Sequence, residues 1–129
     1  VKEEEKYKNS SLDDKRRTEI VGKIEAVLAD KELLCSEDMS LKRLADLTAT
    51  PYKLVSQSIN EHWQKNFSQL LAEYRIHEAC RRMQDRDHYG SYSIEGIGAS
   101  VGFHTRSNFV TTFKRITGLT PSEYIREIK

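Results

Sequence analysis

Residues 93 to 124 read SIEGIGASVGFHTRSNFVTTFKRITGLTPSEY, and their spacing leaves the chain few folds to choose from. Ile94, Ile97 and Val101 recur at helical spacing and run into Gly102, a residue type that adopts a left-handed backbone without a Cβ penalty. A second apolar series follows at once, with Phe109, Phe113 and Ile116 spaced four and three residues apart on one face. The opposite face, centred on Ser107, Thr111 and Lys114, is left outward. A short helix, a glycine turn and a second helix with a polar outer face predict a helix-turn-helix, the layout in which the second helix is offered to DNA.

The pattern occurs twice. Ser40-Leu41-x-x-Leu44-Ala45 matches Ser93-Ile94-x-x-Ile97-Gly98 at an offset of 53. Val55 and Ile59 mirror Phe109 and Phe113 at an offset of 54, so one extra residue falls in the second turn. In the first copy Ser40 is the expected N-cap of a helix carrying Leu41, Leu44 and Ala45. Thr50-Pro51 then predicts a restart, with Thr50 as cap and Pro51 at the first helical position, and with Leu54, Val55, Ile59 and Trp63 buried. One helix-turn-helix pattern arises in many proteins as ordinary helix packing, and a repeated pair is a much stronger pointer to DNA.

Between the copies, Phe67, Leu70, Leu71, Tyr74, Ile76, Ala79, Cys80 and Met83 mark a linker helix over about 66–86. At 1.5 Å per residue it is about 30 Å long. A rigid helix of that length could hold two recognition helices about 34 Å apart, one duplex turn. Ahead of the first copy a helix is expected from Leu12, with Ser11 as N-cap and Ile20, Ile24, Val27 and Leu28 on one face, ending near Asp30 to Glu32. Leu33 and Leu34 then fold back towards the core. Residues 84–92 read as a polar loop, Gly118 stops the second recognition helix, and Thr120-Pro121-Ser122-Glu123 is a capping box for a closing helix over about 121–128. Residues 1–10 are charged and aperiodic, as in a linker or tail, and the domain is expected over 11–129.

The 129 residues suffice for one domain with a real core, or two very small ones sharing a helix. Hydrophobic content of 37% with only 2 Pro and 6 Gly suits a largely helical fold. No window approaches 18 consecutive apolar residues, and the N-terminus VKEEEKYKNSS has no signal-peptide pattern. The chain begins at Val1 rather than Met, so a piece of a longer protein is expected. Cys35 and Cys80 form no paired framework, and they read as small reduced hydrophobes. The four histidines lack metal-ligand spacing, so neither a metal nor another cofactor is expected.

Net charge is only +1, low for a nucleic-acid binder. Residues 1–50 hold 10 Lys+Arg against 12 Asp+Glu, and residues 51–129 hold 11 against 8, so the modest basic excess lies with the better-defined repeat. No nucleophile beside a base, phosphate-binding glycine loop or spaced carboxylate pair points to an enzyme. The competing reading is a helical module of the same architecture that binds a protein rather than DNA. Steep salt dependence of duplex affinity separates the two.

The outer faces supply the candidate contacts. On the first recognition helix Lys53, Gln57 and Asn60 point outward, flanked by Tyr52 and Ser56; on the second, Ser107, Thr111 and Lys114 do, beside Arg106 and Val110. Arg and Lys can contact guanine O6/N7, Gln and Asn can pair with adenine, and Val or the Thr methyl can meet the thymine methyl. Base contacts are therefore expected from Tyr52, Lys53, Ser56, Gln57, Asn60, Arg106, Ser107, Val110 and Thr111, with Arg106 and Gln57 foremost. Phosphate contacts are expected from Lys65, Lys114, Arg115 and the backbone N–H groups at helix starts such as Thr120.

These residues resemble the C-terminal DNA-binding domain of AraC/XylS-type transcription regulators over about Leu33 to Arg126. VGFHTRSNFVTTFKRITGLTPSEY is similar to the family's signature at Gly102, Phe103, Ser107, Phe109, Phe113, Lys114, Gly118, Thr120, Pro121 and Tyr124. The first half agrees through Leu44-Ala45, Ser56, Ile59-Asn60-Glu61, Asn66-Phe67 and Tyr74-Arg75. INEHWQKNF and YRIHEA look like segments of regulators fused to membrane sensor or hybrid two-component modules.

The resemblance implies an all-α fold of about seven helices, with two helix-turn-helix units joined by a long linker helix. It also implies sequence-specific binding of double-stranded DNA near promoters and contacts to RNA polymerase. A sensor or dimerisation region is expected ahead of this domain, which itself carries no small-molecule site. The domain is expected in the cytoplasm, or tethered to a membrane through that preceding region. Three positions depart from the family pattern: Gly98 stands where Ala is usual, and Ala49 and Gln64 stand where Gly is common. If the last two are left-handed, each adds roughly 1 kcal/mol of strain. The first unit is therefore expected to be the one whose geometry departs.

Overall fold

The computed structural model describes residues 12–128, and among them the chain is all-α. Nine helices follow in order: α1 (Asp14–Ala29), α2 (Lys31–Leu34), α3 (Leu41–Leu47), α4 (Tyr52–Trp63), α5 (Phe67–Gln84), α6 (Arg86–Tyr89), α7 (Ile94–Ser100), α8 (Arg106–Thr117) and α9 (Pro121–Ile128). The two beyond the expected seven, α2 and α6, are single turns. Leu33 and Leu34 fold back as the end of one, and a stretch expected as loop holds the other, where the Asp85 carboxylate accepts the His88 N–H (3.2 Å).

The chain divides into two compact units. The first comprises α1, α3, α4 and the start of α5. Ile20, Val21, Ile24 and Leu28 of α1 are buried together with Leu44 and Ala45 of α3 and Val55 and Ile59 of α4. The N-cap of α1 is Asp13, whose carboxylate accepts the Arg16 N–H (2.7 Å). It takes the role expected of Ser11, which lies outside the described residues, because a cap must stand directly before the first helical residue. The expected tail, 1–10, also lies outside them.

The second unit comprises α2, the rest of α5, and α6 to α9. Its core gathers Ile76, Ala79 and Met83 of α5 against Ile97, Val101, Phe103, Phe109 and Phe113, with Tyr124, Ile125 and Ile128 of α9 packed around them. Aromatic rings form a chain through it: Phe103 to Phe109 (5.3 Å between centroids), Phe109 to Phe113 (5.7 Å) and Phe113 to Tyr124 (5.5 Å). Tilted and edge-on contacts of this kind add about 0.5–1.5 kcal/mol each beyond area burial. Cys35 and Cys80 are free and half-buried at the margin of this core. Burial pushes both thiols up, which keeps them protonated and weakly reactive.

Candidate nucleic-acid interface

Each helix-turn-helix is closed by the same hydrogen bonds. In the first, Thr48 N–H donates to Leu44 O (3.0 Å), Ala49 N–H to Asp46 O (3.1 Å) and Thr50 N–H to Ala45 O (3.0 Å). In the second, Val101 N–H donates to Ile97 O (3.2 Å), Gly102 N–H to Ala99 O (3.0 Å) and Phe103 N–H to Gly98 O (3.0 Å). The turn residue is left-handed in both, with φ 49° at Ala49 and 105° at Gly102. Both recognition helices also end alike, at left-handed Gln64 (φ 57°) and Gly118 (φ 84°). The expected departure of the first unit is thus overturned. Its backbone follows the second unit's turn, and Ala49 and Gln64 carry the Cβ penalty, roughly 1 kcal/mol each.

The helix starts do differ. Thr105 caps α8, its hydroxyl accepting the Asn108 N–H (3.1 Å). In α4 the cap position is Pro51, with extended backbone (ψ 138°) and no side-chain cap. Thr50 is not the cap, and Pro51 is not the first helical residue; the Thr50 hydroxyl donates instead to Thr48 O (2.9 Å). The reason lies in the turn, where the Thr50 amide already closes onto Ala45 and draws its side chain inward. The extra residue of the second turn lies between Phe103 and Thr105, and it is the exposed His104.

On α4, Tyr52, Lys53 and Asn60 are exposed, and Tyr52 shows 54% of its surface. Ser56 and Gln57 are half-buried, so Gln57 stands at the edge of the outer face rather than at its centre. On α8, Arg106, Ser107 and Thr111 are exposed and Val110 is half-buried beside them. Lys114 and Arg115 lie exposed in the last turn, and Lys65 is half-buried just past α4. Thr120 differs from its expected role. Its N–H donates to the Glu123 carboxylate (2.8 Å) while its hydroxyl accepts the Glu123 N–H (3.2 Å), so the amide expected to meet phosphate is occupied by the capping box. These hydrogen bonds hold the Glu123 carboxyl below its ordinary range.

Two residues that sequence reasoning left unassigned position the second unit. The Arg75 guanidinium donates to Leu34 O (2.9 Å), Ser36 O (2.7 Å) and Gly102 O (3.4 Å), tying α5 to α2 and to the turn itself. A Cβ on Gly102 would lie 2.8 Å from Arg75 Cζ and 3.0 Å from Cys35 O, so this glycine answers to close approach as well as to its positive φ. One helical turn on, Glu78 is buried at 2% exposure. It accepts from Arg81 (3.0 and 2.8 Å) and Arg82 (2.7 Å) and pairs with Lys31 (3.3 Å). Arg82 also donates to Ser100 O at the end of α7 (3.0 Å). Burial alone would raise the Glu78 pKa; the hydrogen bonds from Arg81 and Arg82 and the Lys31 charge outweigh it and bring the value to about 2. The sequence signal was present in Glu78 followed by Arg at i+3 and i+4.

Among the described residues no cluster of three or more His, Cys, Asp or Glu side chains could hold a metal ion, and no helix is long and apolar enough to cross a membrane. Two helix-turn-helix units with polar outer helices define the class of a DNA-binding module. The family model for a helix-turn-helix domain matches residues 44–127, more than half of the chain. Over 89 residues the chain is 28% identical to the HTH-type transcriptional regulator GadX of Escherichia coli (strain K12), covering 69% of this chain and 31% of that protein. The chain thus spans less than a third of this relative's length.

Two solved structures share the fold. A transcriptional regulator from Chromobacterium violaceum, described as AraC-type DNA-binding domain-containing, superposes with a TM-score of 0.72 at 19% identity, covering 87% of this chain and 93% of that one. The C-terminal domain of AraT, a response regulator from Geobacillus stearothermophilus, gives 0.69 at 21% identity, with 84% of each covered. The chain belongs to the helix-turn-helix domain family whose model it matches, and it shares the fold of AraC-type DNA-binding domains. The family is not normally enzymatic, and the protein-binding alternative gains no support from these relatives.

Proposed function

We propose that α4 and α8 are recognition helices, each reading its own major-groove segment of double-stranded DNA in a sequence-specific way. The observation that carries this is the repeated turn: the same three hydrogen bonds and a left-handed residue at the same turn position precede an exposed polar helix face in both units. Base contacts fall to Tyr52, Lys53, Ser56, Gln57 and Asn60 on α4 and to Arg106, Ser107, Val110 and Thr111 on α8. Lys65, Lys114 and Arg115 hold phosphates. Arg106 leads, because it opens α8, is exposed and has the planar fork that suits guanine O6/N7. Gln57 follows, from the margin of its face.

The intact regulator is proposed to carry a sensor or dimerisation region ahead of this domain, which spans 11–129, and to contact RNA polymerase near promoters. GadX's greater length supports the first of these. A cytoplasmic setting follows from the DNA target.

Selection of bound sequences from a random duplex pool tests the reading, and an enriched motif is the expected result. Failure to enrich any sequence overturns it. Arg106→Ala should weaken binding to the enriched duplex by about 1–3 kcal/mol and relax preference at one base pair, read by gel-shift titration against single-base variants.

A further inference from the structure

We propose that a basic cleft on the first unit, between α1 and the first turn, grips a phosphate of the DNA backbone, so that α1 extends this unit's footprint beyond its recognition helix. The proposal rests on the DNA reading above. Lys15, Arg16 and Lys23 of α1 line a cleft of about 330 Å³ whose other wall is Ala49 and Thr50. All three cations are exposed, and among the described residues none of them forms an ion pair. Their neighbour Arg17 is different, being held by Asp14 and by Glu61 (3.7 Å).

Asp13 and Glu19 also border the cleft. The Asp13 carboxylate is engaged as the α1 cap, accepting the Arg16 N–H, so three cations face one carboxylate free of a backbone role. Opposite charges at i and i+4 on a helix lie within reach of one another. Here Lys15, Glu19 and Lys23 stand on that spacing, and no pair closes among the described residues.

The location supplies the ligand. In a helix-turn-helix the first residues of the second helix meet base edges, so the turn just before them lies at the groove's rim, where the phosphates run. Ala49 precedes Tyr52, the first residue of α4, by three positions, and it is exposed. Two mobile ammonium groups and one guanidinium fork suit a phosphodiester, which offers charge and acceptors without a base edge to read. The cleft therefore adds affinity and no sequence preference.

The test uses the full chain and a duplex it has itself enriched from a random pool. In the Lys15→Ala, Arg16→Ala, Lys23→Ala variant, the plot of log affinity against log salt should flatten by roughly 0.9 for each phosphate no longer neutralised, with affinity down roughly tenfold or more at low salt. The enriched motif should be unchanged, and ethylation interference should vanish at phosphates flanking the first half-site. Lys15→Gln, Lys23→Gln, which keeps most of the aliphatic stems, should give a smaller change of the same kind. Arg126→Ala on α9 removes a charge elsewhere and should leave the slope as it was. Unaltered slope and interference in the triple variant, with helicity retained, overturn the proposal while the DNA reading stands. Failure of the unaltered chain to enrich any duplex overturns both.

Discussion

In the first unit the turn residue is Ala49, and the helices it joins carry Ala45 and Val55; at the equivalent places the second unit has Gly102, Gly98 and Phe109. Both close the same hydrogen bonds, so one backbone has been reached with two distributions of side-chain volume. Phe109 fills the second unit's centre, fully buried, and leaves no space beside it: a Cβ on Gly98 would lie 2.6 Å from Phe109 Cγ. Gly98 is thus matched to a large partner. The first unit places a methyl and a smaller partner there, and accepts strain at Ala49 and Gln64 instead. A large side chain opposite glycine in one unit and a smaller one opposite alanine in the other leave the turn's hydrogen bonds unchanged. The second unit alone carries the Arg75 and Glu78 network behind its turn.

Glu78 is where the difference between the units can be undone most forcefully. A carboxyl whose pKa falls from the ordinary 4.5 to about 2 on folding contributes about 3 kcal/mol. Because the folded value is the lower one, that contribution is complete above about pH 5 and is lost as pH falls towards 2. Glu78→Gln should lower the second unit's stability by about 3 kcal/mol at pH 7 and flatten its acid limb, read as hydrogen exchange of α8 amides across pH. A parallel loss at pH 7 and pH 3 would show that the charge is not what holds the turn.

Next in size is Gly98→Ala, expected to cost about 1–3 kcal/mol by overpacking. Adding Phe109→Val should recover part of the loss, because the pair then matches Ala45 and Val55; no recovery in chemical denaturation would mean that the two sites are independent. Thr105→Ala should cost about 1 kcal/mol through the lost cap of α8, measured in the same way. One further substitution runs in the opposite direction, and its effect is the least. Ala49→Gly should stabilise the first unit by up to about 1 kcal/mol, and Trp63, the chain's single tryptophan, should report it as a later fluorescence midpoint.

Much of the fold was legible in the sequence because periodicity and punctuation are local. Ser40 as a cap, Gly118 as a stop, the Thr120–Glu123 box and the burial of Val55, Ile59, Phe109 and Phe113 follow from spacing alone. Leu54 and Trp63, expected to be buried, are only half-buried. The misplacements have local causes too. Thr50 is no cap because its amide is engaged across the turn, and Gln57 sits at the edge of its face instead of the centre. Thr120 keeps its box, and for that reason its amide does not point at a ligand.

An all-α chain, its repeat, the left-handed turn at Gly102 and the polar faces of two recognition helices are dictated by the order of residues, since each is a matter of side chains three or four positions apart. Packing was needed to settle that Ala49 and Gln64 bear left-handed backbone, that Gly98 answers to Phe109, and that Arg75 and Glu78 stand behind the second turn. It also brought Lys15, Arg16 and Lys23 to the wall of a cleft with Ala49. Most of these joinings cross tens of residues of chain, and they depend on which side chains meet when the helices close on one another, a quantity that no local window contains.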